Sequence, residues 1–287
     1  MIDFYALRMI VLVLILSVTL PADVWAYPSI MQFAHTVKNL LLRKKVDQIV
    51  RRNKVHIAVV PIRSGIYDET DLVKKLYELR TDDSIHGILL WVSSPGGAPG
   101  PSWLISQEIA ACKKKKPVVV IIGDTCTSGA FLVAARADYI IAPSLSEVGS
   151  IGVLYMVRKN KVEKFKGTDG TKGDATIEVI ASSPNKVVTN PYGPSMSDEQ
   201  RAALAQHTYH LYELFYQEVA RARKLDPEKH LEWADAQVFS GDRALALGLI
   251  DSIGSYSDAV EKLLELIKDR LQVEGEPVLI PIKVSCN

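Results

Sequence analysis

From residue 55 onward the apolar positions change period several times. Val55–Ile62, Gly87–Val92, Pro117–Ile122 and Tyr139–Ala142 are short apolar runs of strand character. Between them Thr70–Leu79, Ser102–Lys113 and Gly129–Arg136 carry helical spacing, as at Leu72, Val73, Leu76 and Leu79. The run Val118-Val119-Val120-Ile121-Ile122 has no polar alternation, so it predicts a strand covered on both faces, as in a parallel sheet. Strand and helix in alternation predict an α/β fold, mainly parallel and flanked by helices, built from right-handed crossovers. Trp91 is expected in the core.

Further along, Lys159–Ala175 is polar and rich in lysine and glycine, and predicts an exposed loop. Thr176–Ile180 reads as another strand, and Pro184–Pro194 as irregular. Ser197 and Gln200 form a capping box that opens a long helix to about Lys224. Ser240–Asp251 predicts a helix stopped at Gly248, and Ser257–Leu271 an amphipathic helix. There is no internal repeat, and one domain, residues 55–287, accounts for the whole pattern.

The first 54 residues differ. Arg8 precedes an uncharged run from Met9 to Leu20; Pro21 breaks it, and Val24 and Ala26 stand at positions −3 and −1 of a cleavage after Ala26. The run fits the core of a signal peptide better than a spanning helix, which needs roughly 20 apolar residues. Residues 1–26 are therefore expected to be a signal peptide or membrane anchor. In residues 27–54, Phe33, Val37, Leu40 and Leu41 recur at helical spacing beside Lys38, Arg43, Lys44, Lys45, Arg51, Arg52 and Lys54. Such a basic amphipathic linker helix suits an anionic membrane surface, and equally a solvated linker or an oligomer contact. The basic cluster favours keeping the downstream side in the cytoplasm, whereas the leader points outward, so the side of the membrane stays open.

Composition narrows the classes. With 34 basic and 33 acidic residues the net charge is +1, which gives no electrostatic case for nucleic acid as a partner. A chain of 287 residues, 48% of them hydrophobic, can bury a full core. Cys112, Cys126 and Cys286 follow no metal-ligand spacing and form no disulfide framework.

Candidate chemistry gathers at two consecutive strand ends, where open α/β sheets bind ligands. After Val92 comes Ser93-Ser94-Pro95-Gly96-Gly97; after Ile122 comes Gly123 to Ala130, opening into a helix with Ser128 at its start. The N–H groups of Gly96, Gly97 and Gly129 suit the oxyanion of an acyl-transfer intermediate. The plainer readings are a tight turn at Pro95-Gly96-Gly97 and a helix N-cap at Ser128. A serine nucleophile needs a base, and none of the six histidines falls between positions 87 and 206. Lysine serves when burial keeps its amine neutral, a pKa drop from about 10.4 to near 7 that costs roughly 4–5 kcal/mol. Lys186, with apolar company at Val187-Val188, is the best candidate. Cys126, a rival nucleophile two residues before Ser128, reads more simply as a small core residue.

Four runs in order, Ser94-Pro95-Gly96-Gly97, Thr127-Ser128-Gly129-Ala130, Gly149-Ser150-Ile151-Gly152-Val153 and Ser240-Gly241 through Asp251, resemble the motifs of the signal peptide peptidase A (protease IV) family, peptidase family S49. The resemblance covers roughly residues 55–255 and implies a Clp/crotonase-like fold. It also implies Ser128 as nucleophile, Lys186 as general base, an oxyanion hole near Gly96, Gly97 and Gly129, and Ser150 orienting the lysine. Ala130 replaces the family's usual second glycine, and Ser182-Ser183 stands where a Ser/Ala-Gly pair is usual before the lysine. Signal-peptide-like substrates, a homo-oligomer, association with the bacterial inner membrane and no metal or nucleotide cofactor are implied with it. Two alternatives stay open: a crotonase-like acyl-CoA enzyme, and a catalytically inactive membrane-surface scaffold.

Overall fold

The computed structural model describes residues 54–155 and 196–284, with the backbone of a short hairpin between them. The chain divides between Lys54 and Val55 into two units, and the sheet with its helices belongs to the second. Strands β1 (Lys54–Arg63), β2 (Gly87–Ser94), β3 (Val118–Thr127) and β4 (Tyr139–Ala142) alternate with helices α1 (Thr70–Thr81), α2 (Pro99–Lys113) and α3 (Gly129–Ala134). Each strand pairs in parallel with the next, with Ile88 opposite both Ala58 and Val118, and Val120 opposite Ile140. The strand–helix alternation thus becomes a parallel layer.

The faces of this layer differ. Ala58, Val60, Ile88, Leu90, Val118 and Val120 pack with Leu72 and Leu76 of α1, Ile105 and Ile109 of α2, and Phe131 of α3. The alternate residues, Ile57, Leu89, Val119 and Ile121, meet Ala259, Leu263 and Ile267 of α6 (Tyr256–Leu271). Both faces are apolar because both are covered, which is why β3 shows no alternation. Trp91 lies on the α6 side, with its ring centroid 5.2 Å from that of Tyr256, at the first turn of α6. It keeps 36% of its surface exposed, so it is a flank residue rather than the expected core residue.

The second half completes the sheet. After β5 (Glu147–Gly149) comes an antiparallel hairpin, β6 (Lys164–Lys166) and β7 (Lys172–Asp174), inside the stretch expected to be loop. The strand expected at Thr176–Ile180 and the irregular stretch Pro184–Pro194 lie outside the described residues. Helix α4 (Asp198–Arg223) opens on the expected capping box: Ser197 Oγ accepts the Gln200 N–H and Gln200 accepts the Ser197 N–H. Next come a 3₁₀ turn (Pro227–Glu232), β8 (Val238–Ser240), α5 (Gly241–Ala246), β9 (Ser252–Ile253), α6 and β10 (Glu276–Pro281). Helix α5 is shorter than the sequence suggests. Gly248, at φ 74°, ends it with paired bonds from Leu249 N to Ala244 O and from Gly248 N to Leu245 O.

The sheet order is β10-β1-β2-β3-β4-β9, with β5 and β8 off this path. One strand makes the branch. The first half of β3 pairs with β4 through Val119–Ile121, while its last residues, Thr125–Thr127, pair with Glu147–Gly149 of β5. Beyond β5, β8 runs antiparallel, with Val148 opposite Phe239. The fork lies between Ile122 and Thr125, directly before Ser128. Residues 123–127, expected as a loop, are therefore strand, and that strand carries Ser128 to the edge of the parallel layer.

Candidate active site

Ser128 stands between β3 and α3 at φ 53° and ψ −128°, a region L-residues seldom occupy. A helix N-cap has extended backbone and a side chain that accepts an N–H of the first turn. Ser128 has neither: its hydroxyl makes no capping bond. The N-cap reading is thereby excluded, and the turn has the character of a strained nucleophile elbow that lifts a serine hydroxyl off a strand end. Three backbone bonds hold it: Ser128 N to Gly149 O at 2.8 Å, Phe131 N to Ser128 O at 2.9 Å and Leu132 N to Ser128 O at 3.1 Å.

The loop after β2 is pressed against this turn. Gly96 has φ 92°, and a Cβ there would lie 2.6 Å from Gly129 N, 2.7 Å from Thr127 O and 2.9 Å from Ser128 Cβ. Only glycine allows that approach. The loop is fixed from its other side by Ile66, whose N–H donates to Gly96 O and whose carbonyl accepts from Ala98 N, both at 2.8 Å. A Cβ on Gly97 would strike Ile66 O at 2.0 Å. Ser94, fully buried, ties the two loops together: its Oγ donates to Ser64 O at 2.6 Å and accepts the Gly96 N–H at 3.2 Å.

These bonds distinguish the three glycine amides proposed for an oxyanion. The Gly96 N–H is engaged by Ser94 Oγ. Among the described residues, the N–H groups of Gly97 and Gly129 have no hydrogen-bond partner. The two lie close together, for a Cβ on Gly129 would be 3.3 Å from Gly97 N. Gly97 and Gly129 are thus the available donor pair, and Gly96 provides the close approach rather than a donor. Helix α3 has only six residues, so these individual amides, rather than a helix dipole, supply the positive field.

Ser150 is joined to the same turn. Gly149, at φ 103°, accepts the Ser128 N–H, and Ser150 follows at φ 48° with its N–H on Gln237 O at 2.7 Å. Phe239 and Gln237 close over Gly149, where a Cβ would be 3.0 Å from the Phe239 ring. Two serines in left-handed backbone are therefore linked through one glycine. Lys186 lies outside the described residues. Cys126 is fully buried with its thiol pushed far up by burial, the opposite of an activated nucleophile.

Three supports were not expected from the sequence: the Ile66 clamp, the Ser94 tether and the β8 buttress at Gln237 and Phe239. Each joins segments far apart in the chain, and none leaves a local composition signal. An open cleft of about 800 Å³ begins beyond Ser150, between Gly152, Val153 and Tyr155 on one side and Leu204, Thr208 and Tyr212 of α4 on the other. Arg201 and Asp235 also line it.

Comparison with known proteins matches residues 110–269, more than half of the chain, to the family model described as peptidase family S49. A putative protease of Methanocaldococcus jannaschii is 35% identical over 194 residues, 68% of this chain and 60% of that protein. Protease 4 of Salmonella typhi is 33% identical over 195 residues, 68% of this chain and 30% of its own length. A putative signal peptide peptidase of Enterococcus faecium is 29% identical over 200 residues, covering 69% and 56%. The chain thus spans less than two thirds of the length of these relatives. The matched region contains the strained serine turn and the Gly149–Ser150 link, and the glycine loop lies just ahead of it; with its mixed, mainly parallel α/β architecture, the chain belongs to peptidase family S49.

Proposed function

We propose that this protein is a serine endopeptidase in which Ser128 is the nucleophile and Lys186 the general base. The observation that carries the reading is the strained backbone of Ser128 beside the two partnerless amides of Gly97 and Gly129. In the proposed cycle a neutral Lys186 amine takes the Ser128 hydroxyl proton as Oγ bonds to the scissile carbonyl carbon. The carbonyl oxygen becomes an oxyanion facing Gly97 and Gly129. Collapse breaks the C–N bond, the proton passes from Lys186 to the leaving amine, and Ser128 is left as an ester. Water, deprotonated by Lys186, then releases the acid and restores the serine. The lysine's role rests on the family resemblance, as does an orienting role for Ser150; the Gly149 link to Ser128 supports the latter.

Peptides with small or apolar side chains near the cut, such as spent signal peptides, are the proposed substrates. One relative's name, signal peptide peptidase, and the apolar cleft beyond Ser150 support this. A homo-oligomer on the bacterial inner membrane, anchored or docked through residues 1–54, belongs to the same proposal. Among the described residues no helix is long and apolar enough to cross a membrane.

The test is cleavage of a fluorogenic signal-peptide-like substrate together with fluorophosphonate labelling. Ser128→Ala should abolish labelling and lower turnover by about 10³-fold or more, and Lys186→Ala should lower turnover similarly with the fold retained. Activity surviving Lys186→Ala moves the base elsewhere. An unlabelled, inert wild-type chain overturns the peptidase reading.

A further inference from the structure

One polar group beside this site is not used by the mechanism above. Ser102 lies in the first turn of α2, is 0% exposed, and its Oγ has no hydrogen-bond partner. A buried hydroxyl in that state has lost its water partners and gained none, so it calls for an explanation. Ser106, one turn further on the same helix face, is also buried, but its Oγ donates to Trp103 O at 2.7 Å. The helix therefore offers a local solution that Ser102 does not take. Alanine would remove the unmet polar atom at the loss of one buried oxygen's volume.

Its location is specific. A Cβ on Gly129 would lie 2.3 Å from Ser102 Oγ and 3.3 Å from Gly97 N. The hydroxyl thus occupies the space a side chain at position 129 would take, beside the loop and the turn that present the two free amides. The helix is anchored to that loop through Ser102 N on Ala98 O at 3.2 Å.

We propose that Ser102 is a positioning residue for the oxyanion: its unengaged O–H turns toward the negative charge as it develops beside the Gly97 and Gly129 amides. This rests on the Ser128 peptidase reading. The hydroxyl is unsatisfied in the resting site and finds its electrostatic partner only in the transition state. Such an interaction raises kcat and leaves substrate binding unchanged. The buried surroundings let the dipole act without touching the reacting oxygen.

The experiment uses the full chain and a fluorogenic peptide with small apolar residues before the cut, with a peptide aldehyde as tetrahedral mimic. Ser102→Ala should lower kcat about tenfold at unchanged KM and weaken the aldehyde by the same factor. Its melting temperature should be equal or higher. Ser102→Cys, similar in size with a weaker donor, should fall between the two, and it carries the test if the alanine variant fails to fold. Wild-type kcat and aldehyde affinity in a folded variant overturn the inference and leave Ser102 a packing residue. Wild-type turnover no greater than that of Ser128→Ala removes the peptidase reading, and the inference with it.

Discussion

The two ends of the parallel sheet solve opposite problems. At the carboxyl ends, Ser64, Ser128 and Ser150 all have positive φ, two glycine amides lack partners, and Ser102 holds a buried, unmet hydroxyl. At the amino ends and in the turns beneath them, the buried groups of Lys116 and Asp138 are matched. Lys116, nearly buried, donates to the carbonyls of Leu79 and Asp82 at the end of α1. Asp138 accepts the Val118 N–H at 2.8 Å and faces Arg270 at 2.6 Å and Lys113 at 3.6 Å. Strain and unmet polar atoms are costs that a fold tolerates only where surrounding structure overdetermines them. Here the strained serines, the two free amides and the Ser102 hydroxyl gather at the carboxyl edge; elsewhere left-handed backbone recurs at the helix ends Lys224 and Gln272, and the buried Arg136–Glu218 ion pair leaves polar atoms without a hydrogen bond.

Damage to the upper edge should therefore remove activity before stability. Gly96→Ala is the strongest such probe. Its Cβ must displace Gly129 N, Thr127 O or Ser128 Cβ from a φ of 92°, so the serine and the amide pair lose register. Turnover should fall about 100-fold or more, as misplacement by roughly 1 Å commonly does. Gly100→Ala, four residues on in α2, meets nothing within 4 Å and is the matched control. It should leave turnover intact and stabilise by about 0.5–1 kcal/mol through helix propensity. Equal losses in both variants, read by peptide cleavage and thermal unfolding, would break the comparison.

The lower edge should respond the other way. The Asp138 side chain is only 3% exposed, and its loss leaves the Val118 N–H and Arg270 without their acceptor. Asp138→Ala should destabilise by about 2–3 kcal/mol in urea titration, with turnover per folded molecule unchanged. Asp138→Asn keeps an acceptor for Val118 and should cost less. A large drop in turnover with little loss of stability would place Asp138 on the functional side of the divide.

How much of this was legible in the sequence follows the same line. The strands and helices of the parallel layer read correctly because burial on both faces writes long apolar runs, and because Ser197, Gln200 and Gly248 are local signals. The serine and its glycine loop were legible as candidates because glycine and serine at strand ends have few ordinary uses. The extension of β3 through residues 123–127 was not, since Gly123, Asp124 and Thr125 look like turn residues and the β5 partners of Thr125–Thr127 lie more than 20 residues away. The three-residue strands β5 to β8 are too short to show a period. Which of the three glycine amides is free depends on Ser94 Oγ, which takes the Gly96 N–H, a contact that spacing cannot reveal.

The finest probe of the lower edge is protonation. His86 accepts the His56 N–H on its Nδ1 at 3.0 Å, while its own N–H donates to His56 O at 2.8 Å. Burial holds the His86 pKa below its usual 6.5, and neighbouring His56 and Lys116 add to the effect. Asp82, an acid beside His56 and Lys116, is engaged by Ser84. Protonating His86 would place a hydrogen on Nδ1 and end the bond from His56. Because the folded pKa lies below the unfolded one, the unfolded chain takes up the proton first as pH falls. The stabilisation from neutral His86 is therefore complete above about pH 6.5 and is lost as pH drops through the folded pKa. Urea unfolding should show lower stability at about pH 5 than at about pH 7.5, and His86→Gln should flatten that part of the profile. Since the pair sits at the edge opposite Ser128, turnover per folded molecule at neutral pH should not change. An unaltered pH profile in His86→Gln would assign the acid loss to other groups and remove this histidine from the account of the lower edge.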